Sequence, residues 1–290
     1  MAAVGSRRRQ AFIGWAFILP VAGVFATFSV YPTLYSLYMS FFKWRLLGGA
    51  DGWVGLSNYI RALQDGVFLA SLKNVFYYAL SVPGRLAVGL VLALLLNRAF
   101  HGRNFWRTVY FMPYVTSWVV AATVWKWLYQ PDGLINVLLG FFGIGPFLWL
   151  GDARLAMPSI ILMSIWKTAG FDMVVYLAAL ASIPREYYEA ASIDGASAWS
   201  TFRHITLPLL APTTLFLLVV GVISAMQLFT QPFIMTGGGP GRATIAPVQY
   251  IYENAFKYYD MGYAAALGYV LFTIILALTL VQMRVLRPSR

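Results

Sequence analysis

Residues 186–208 read EYYEAASIDGASAWSTFRHITLP, a polar, charged stretch set between two long apolar runs. The rest of the chain reads as built for a bilayer. Of 290 residues, 60% are hydrophobic and 11% charged, and the mean hydropathy is +0.70, whereas soluble domains carry roughly 25% charged residues. A charged insert between apolar spans is where a membrane protein meets something in the water. Pro184 marks a helix boundary, and residues 185–193 are expected to form a short helix. Gly195 takes positive φ without a Cβ penalty and permits a sharp turn. Residues 197–206 are expected to form a second short helix with Ser197 as N-cap, and Pro208 to open the next membrane helix. Tyr187, Tyr188 and Trp199 put large aromatic rings on this insert. Two readings stay open: a protein-docking element, or an interfacial connector with its rings among the headgroups.

Working outward, a helix needs ~20 apolar residues to cross ~30 Å of hydrocarbon. Six runs qualify, at roughly 11–42, 74–97, 108–128, 155–181, 209–231 and 261–283. The fold expected is an all-α polytopic membrane protein of six transmembrane helices. The first run has no charge between Arg9 and Lys43; it is too long for a signal-peptide core and reads as a retained helix. Six crossings put both termini on one side, with tails at 1–10 and 284–290 around a membrane domain at 11–283. Eleven Lys and Arg lie in the terminal-side segments and eight opposite, at greater density on the terminal side, so the positive-inside rule puts both termini and the insert at 184–208 in the cytoplasm. The segment 232–260 is then external. The net charge of +11 follows this topology and does not form a nucleic-acid-binding module, and the absence of cysteine excludes disulfides, thiol catalysis and thiolate metal sites.

The insert fits the pattern E-A-A, three residues, Gly, nine residues, I-x-L-P, at Glu189, Ala190, Ala191, Gly195, Ile205, Leu207 and Pro208. This resembles the EAA loop in the membrane subunits of binding-protein-dependent ABC importers. The likeness extends along the chain: YPTLYSLYMSFFKW at 31–44, VGLSNY at 54–59, RNFWRTVYFMPY at 103–114, WKWLYQPDGLIN at 125–136, TGGGPGRAT at 236–244 and YIYENAF at 250–256. The chain is similar to carbohydrate-type importer permeases of the maltose or glycerol-3-phosphate kind, the Gly-rich loop being typical of one of two partner types. The resemblance implies two related six-helix permeases, two cytoplasmic ATPases and an external solute-binding protein. It also implies an inner-membrane location and a coupling role for the loop, including Glu186 and Asp194. Gly237, Gly238, Gly239 and Pro240 would contact the binding protein. The chain has no G-x-x-x-x-G-K-[ST] phosphate cradle, so no cofactor is expected in this chain; ATP and Mg belong to the ATPase subunits.

Ionisable side chains at bilayer depth cost ~3 kcal/mol or more and face a cavity or a partner. Arg85, Lys167 and Asp172 qualify. Arg85 and Asp172 are both near mid-span, so a buried pair is one reading and separate structural roles are the other. Pro83–Gly84 suggests a local break in span two. In the resembled family, substrate lies between the helices flanking the loop. Ser164, Lys167, Thr168 and Phe171 share one face of span four by spacing, and Ser224, Gln227, Leu228 and Gln231 one face of span five. Hydroxyl partners and aromatic rings on these two stripes suit a sugar, with helix packing as the alternative. The expected function is import of a di- or oligosaccharide delivered by a binding protein, with glycerol-3-phosphate or a glycerophosphodiester as runner-up because Arg85 or Lys167 could meet a phosphate. From other classes, an ion-coupled carrier would use Asp172. A membrane enzyme lacks a cluster of acid/base residues, His101 and His204 being far apart in sequence.

Overall fold

The computed structural model describes residues 15–285. The expected N-terminal tail, the first residues of the first apolar run, and Arg287 and Arg290 lie outside the described residues. The chain is mostly helical. Among the described residues, four single helices are long and apolar enough to cross a membrane: α1 (Trp15–Ser40), Gly66–Asn97, α8 (Ala156–Ala181) and α14 (Met261–Val285). A bent pair, α10 (Ala198–Leu209) and α11 (Ala211–Met226), adds a fifth if it is one span; its halves meet at 60°.

The second span starts earlier than its apolar run at 74–97. Asp65 caps it, its Oδ1 accepting from Val67 N at 2.8 Å and Phe68 N at 3.2 Å, and that cap draws Lys73 into the helix. The span divides into α3 (Gly66–Ala79) and α4 (Ser81–Asn97) at Leu80. Pro83 has no N–H for the carbonyl four residues back, so the interruption falls three residues before the proline.

The run at 108–128 is not one helix. It comprises the C-terminal part of α5 (Arg103–Val115) and α6 (Trp118–Leu128), separated by an extended Thr116 and a capping Ser117. Pro113 removes one donor from the last turn of α5. The Ser117 hydroxyl accepts from Val119 N at 3.3 Å, so the second helix starts with its own cap.

The chain packs as two units. The first contains residues up to Gln64 together with Ile251–Val270. It corrects the all-α expectation, for β1 (Phe42–Arg45) and β2 (Gly49–Trp53) form an antiparallel hairpin. Gly49 at φ +70° opens β2 directly after the turn at 46–48, and the Phe42 and Trp53 rings meet across the strands at 5.0 Å. Next comes α2 (Ser57–Gln64), whose Asn58 Nδ2 donates to the carbonyls of Ser40 and Phe42 at 2.9 and 3.1 Å. Arg61 bonds Asp260 Oδ2 at 2.8 Å and lies over the Tyr263 ring. Much of α1 is exposed apolar surface.

The second unit, Asp65–Tyr250 and Leu271 onward, is built around α8, the most buried of the candidate spans. Without water between them, membrane helices pack through small residues that let backbones approach. A Cβ on Gly89 of α4 would lie 2.6 Å from Asp172 Cβ of α8. A Cβ on Gly170 of α8 would collide with the Tyr110 carbonyl of α5. A Cβ on Gly221 of α11 would lie 2.7 Å from Val82 Cγ1 and 2.9 Å from Arg85 Nη2. Three close crossings thus press α4, α5 and α11 into van der Waals contact around one centre.

Candidate functional site

That centre holds a cavity of about 370 Å³ within the second unit. Ser164, Thr168 and Phe171 reach it from α8, as their spacing predicts, and Ser224 from α11. Gln227, Leu228 and Gln231 line it too, but not as a helical stripe. The helix ends at Met226, and Gln227 and Phe229 have non-helical backbones before α12 (Thr230–Met235) begins. The expected span at 209–231 is therefore broken inside the membrane run. Irregular backbone at such depth is tolerated where it lines a cavity or is buried in protein.

Lys167 departs from its expected place. It is 1% exposed and does not line the cavity. Its Nζ donates to the carbonyls of Pro113 at 2.9 Å, Tyr114 at 3.3 Å and Thr116 at 2.5 Å. It also lies 4.8 Å from the Trp118 ring centroid. These are the carbonyls left over where α5 stops, and a lysine at a helix C-terminus satisfies them and complements the dipole. Lys167 is thus a strut under the break between α5 and α6.

Residues missed from sequence reach the cavity because of that break. Tyr114 and Trp118, on either side of it, line the wall with Tyr78, Ser81, Phe229 and Thr230. Tyr114 stacks on Phe171 with ring centroids at 4.8 Å and planes 20° apart. In sequence these rings were part of an apolar run; the available signals were Pro113 within that run and a lysine, Lys167, within another.

Arg85 is the charged side chain on the cavity wall. Its Nε lies 2.8 Å from Asp172 Oδ2, and its Nη2 donates to Asp172 Oδ1 at 3.2 Å. Asp172 is fully buried, while the Arg85 side chain keeps 16% exposure. Gly221 leaves room for the guanidinium.

The insert folds as a helical hairpin. Helix α9 (Arg185–Ile193) ends in a Schellman arrangement, with Ala196 N donating to Ala191 O at 2.9 Å and Gly195 N to Ser192 O at 3.2 Å. Gly195 takes φ +71°. Ser197 caps α10 through Ser200 N at 3.2 Å. The Tyr188 hydroxyl and Thr206 Oγ1, 3.2 Å apart, tie the two arms. Glu186, Glu189, Ala190 and Asp194 are exposed, Ala191 is buried, and Ile205 is half-buried. Pro208 does not open the membrane helix. It sits in the last turn of α10, and the bend falls at Leu210, after which Pro212 stands at the start of α11.

Side-chain hydrogen bonds hold the Gly-rich segment in a defined turn. Gly237, Gly238 and Gly241 use positive φ, and Arg242 does so without being glycine. The buried Thr244 holds the turn, its Oγ1 lying 2.6 Å from Thr236 Oγ1 and donating to Gly239 O at 2.8 Å. Gln249 Nε2 donates to Gly237 O at 3.0 Å. Asn74 Nδ2 donates to Arg242 O and Ile245 O at 2.9 and 3.0 Å. The glycines with Pro240 thus form a shaped turn.

Residues 85–288 match the model of the binding-protein-dependent transport system inner membrane component family. The chain belongs to that family. A probable ABC transporter permease of Bacillus subtilis, YesP, is 39% identical over 95% of this chain and 91% of its own length. The trehalose/maltose transport system permease MalF of Thermococcus litoralis is 34% identical over 97% of this chain and 96% of its own. In a solved structure, a bacterial alginate ABC transporter in complex with an alginate pentasaccharide-bound periplasmic protein, one chain superposes with a TM-score of 0.85 at 26% identity, covering 97% of this chain and 96% of that chain. Membership makes the chain a membrane-embedded transport component, and Asp172, the residue an ion-coupled carrier would use, is held by Arg85.

Proposed function

We propose that this permease is one half of the membrane channel of a sugar ABC importer, and that the cavity around Ser164, Thr168, Phe171 and Gln231 receives a di- or oligosaccharide from an external binding protein. The observation that carries this reading is the lining. Hydroxyl and amide groups alternate there with Tyr114, Trp118, Phe171 and Phe229, which offers hydrogen bonds to sugar edges and ring faces to C–H surfaces, the mix that small-molecule sites use. The named transport systems of the relatives support the same substrate class. The glycerol-phosphate reading loses its anchors, since Lys167 caps carbonyls and Arg85 is already paired.

In this reading the chain crosses the inner membrane six times with both termini in the cytoplasm. The broken α5–α6 segment and the bent α10–α11 segment would supply the crossings that are not single straight helices. The hairpin at 184–208 then docks on an ATPase, which binds the ATP and Mg, and a second related permease completes the channel. The turn at 236–244 faces the binding protein. The exposed Glu186, Glu189 and Asp194 and the groove lined by Tyr187, Ala190, Ser200, His204 and Ile205 support the docking role, as does the match to the EAA pattern. The test is reconstitution of the four-subunit assembly in liposomes with its binding protein. ATP-dependent uptake of a neutral disaccharide that is lost with Phe171→Ala and Gln231→Leu, while the binding protein still loads, is the expected result. Uptake untouched by both variants would move the substrate elsewhere.

A further inference from the structure

Among the described residues, the cavity wall carries one charge, Arg85, and that charge is already matched. The match is lateral. Nε lies 2.8 Å from Asp172 Oδ2 and Nη2 donates to Oδ1 at 3.2 Å, while the Arg85 side chain keeps 16% exposure and lines the cavity. Asp172 is fully buried behind it and does not line the cavity. Lys167, the other cation nearby, is spent on three carbonyls. A solute in the cavity therefore meets strong donors without a net charge.

We propose that Asp172 sets the charge selectivity of the cavity: by neutralising Arg85 it makes the site one for uncharged saccharides and rejects uronates and sugar phosphates. This rests on the sugar reading of the cavity. The physical reason is desolvation. An anion leaving water for this cavity loses its hydration and finds a guanidinium whose field is cancelled by a buried carboxylate. A neutral sugar loses only hydroxyl hydration, which Arg85, Ser164, Thr168 and Gln231 replace. Asp172 acts through Arg85, as a positioning and charge-balancing residue.

The experiment is equilibrium dialysis of the intact transporter assembly in nanodiscs against lactose and lactobionate, whose reducing glucose is opened and oxidised to a carboxylate, with lactitol as the neutral open-chain control. Wild type is expected to bind lactose in preference. Asp172→Asn keeps the shape and one acceptor but uncovers the Arg85 charge, and should move the lactobionate-to-lactose ratio up about tenfold or more, as a unit charge within a few Å in a medium of intermediate dielectric implies. Raised ionic strength should shrink that gain. Arg85→Gln uncovers Asp172 instead and should act with the opposite sign, lowering lactobionate binding and raising that of the chitosan disaccharide, which carries ammonium groups; it keeps the question open to measurement if Asp172→Asn does not fold. Equal wild-type affinity for lactose and lactobionate, or ratios that neither variant shifts, would overturn the proposal while leaving the sugar site standing. A wild-type assembly that binds neither sugar would remove the sugar reading itself, and this proposal with it.

Discussion

At the scale of single residues, three intramembrane charges find three different uses of their surroundings. Lys167 saturates carbonyls at a helix end, Asp172 is wholly enclosed, and Arg85 bridges from the enclosed carboxylate to the cavity. Removing one member of a buried pair leaves an unmatched charge, which costs about 3–5 kcal/mol, whereas replacing both by apolar groups is often neutral. Arg85→Met is therefore expected to lower the thermal stability of the purified permease, and Arg85→Met with Asp172→Leu to recover most of the loss. Equal losses in single and double variants would show that the pair is not energetically coupled. Lys167→Met should cost about 1–3 kcal/mol by stranding its carbonyls. Because Lys167 lies behind the wall, the variant should slow transport of all sugars alike. A changed ratio between sugars would put the lysine back in contact with substrate.

At the scale of elements, function follows where helices fail to be straight. Two interruptions, at Thr116–Ser117 and at Gln227–Phe229, face the same cavity and supply much of its lining. Neither was legible as a break, because the runs at 108–128 and 209–231 are predominantly apolar and hydropathy does not register backbone hydrogen bonding. Pro113 marked the first weakly, and the nearest proline or glycine before the second is Gly221, six residues upstream. The hairpin at 184–208 was legible almost to the residue, since its signals are local: Pro184, the Gly195 turn and the Ser197 cap act over three or four residues. Under the proposed coupling role, Glu189→Lys should leave the permease inserted but reduce ATP-driven uptake of every substrate by one factor, measured as uptake and ATPase co-purification together. Full uptake with full ATPase association would sink that role. The crossings between elements are tested by Gly170→Ala. Its methyl group would meet the Tyr110 carbonyl, and overpacking of this kind costs about 1–3 kcal/mol, read as a lowered melting temperature and disturbed Tyr114–Phe171 stacking.

At the scale of the molecule, the permease combines an exposed helical hairpin, a cavity lined by polar and aromatic groups and a hydrogen-bonded turn in the 232–260 segment. The turn predicts how its proposed partner would be met. If the binding protein docks on a shaped surface, crosslinks from positions 238–245 to the loaded binding protein should be efficient, and Thr244→Val, which breaks the Thr236 and Gly239 bonds, should weaken docking without changing insertion. Replacing 237–241 by serines with transport intact and no crosslinks would remove the contact.

The sequence by itself determined that this protein lives in a bilayer, which stretch of the chain forms its charged hairpin and which family it belongs to. Composition, caps and turn residues are properties of short segments and survive without knowledge of the fold. Only the tertiary structure decided that Ser164, Tyr114 and Gln231 share one cavity, that Lys167 props a broken helix and that Arg85 meets Asp172. Those outcomes depend on which helices approach closely, and the approach is set by Gly89, Gly170 and Gly221. Glycine in an apolar run carries no periodic signal. Its meaning appears only when a second backbone occupies the space that a side chain would have filled.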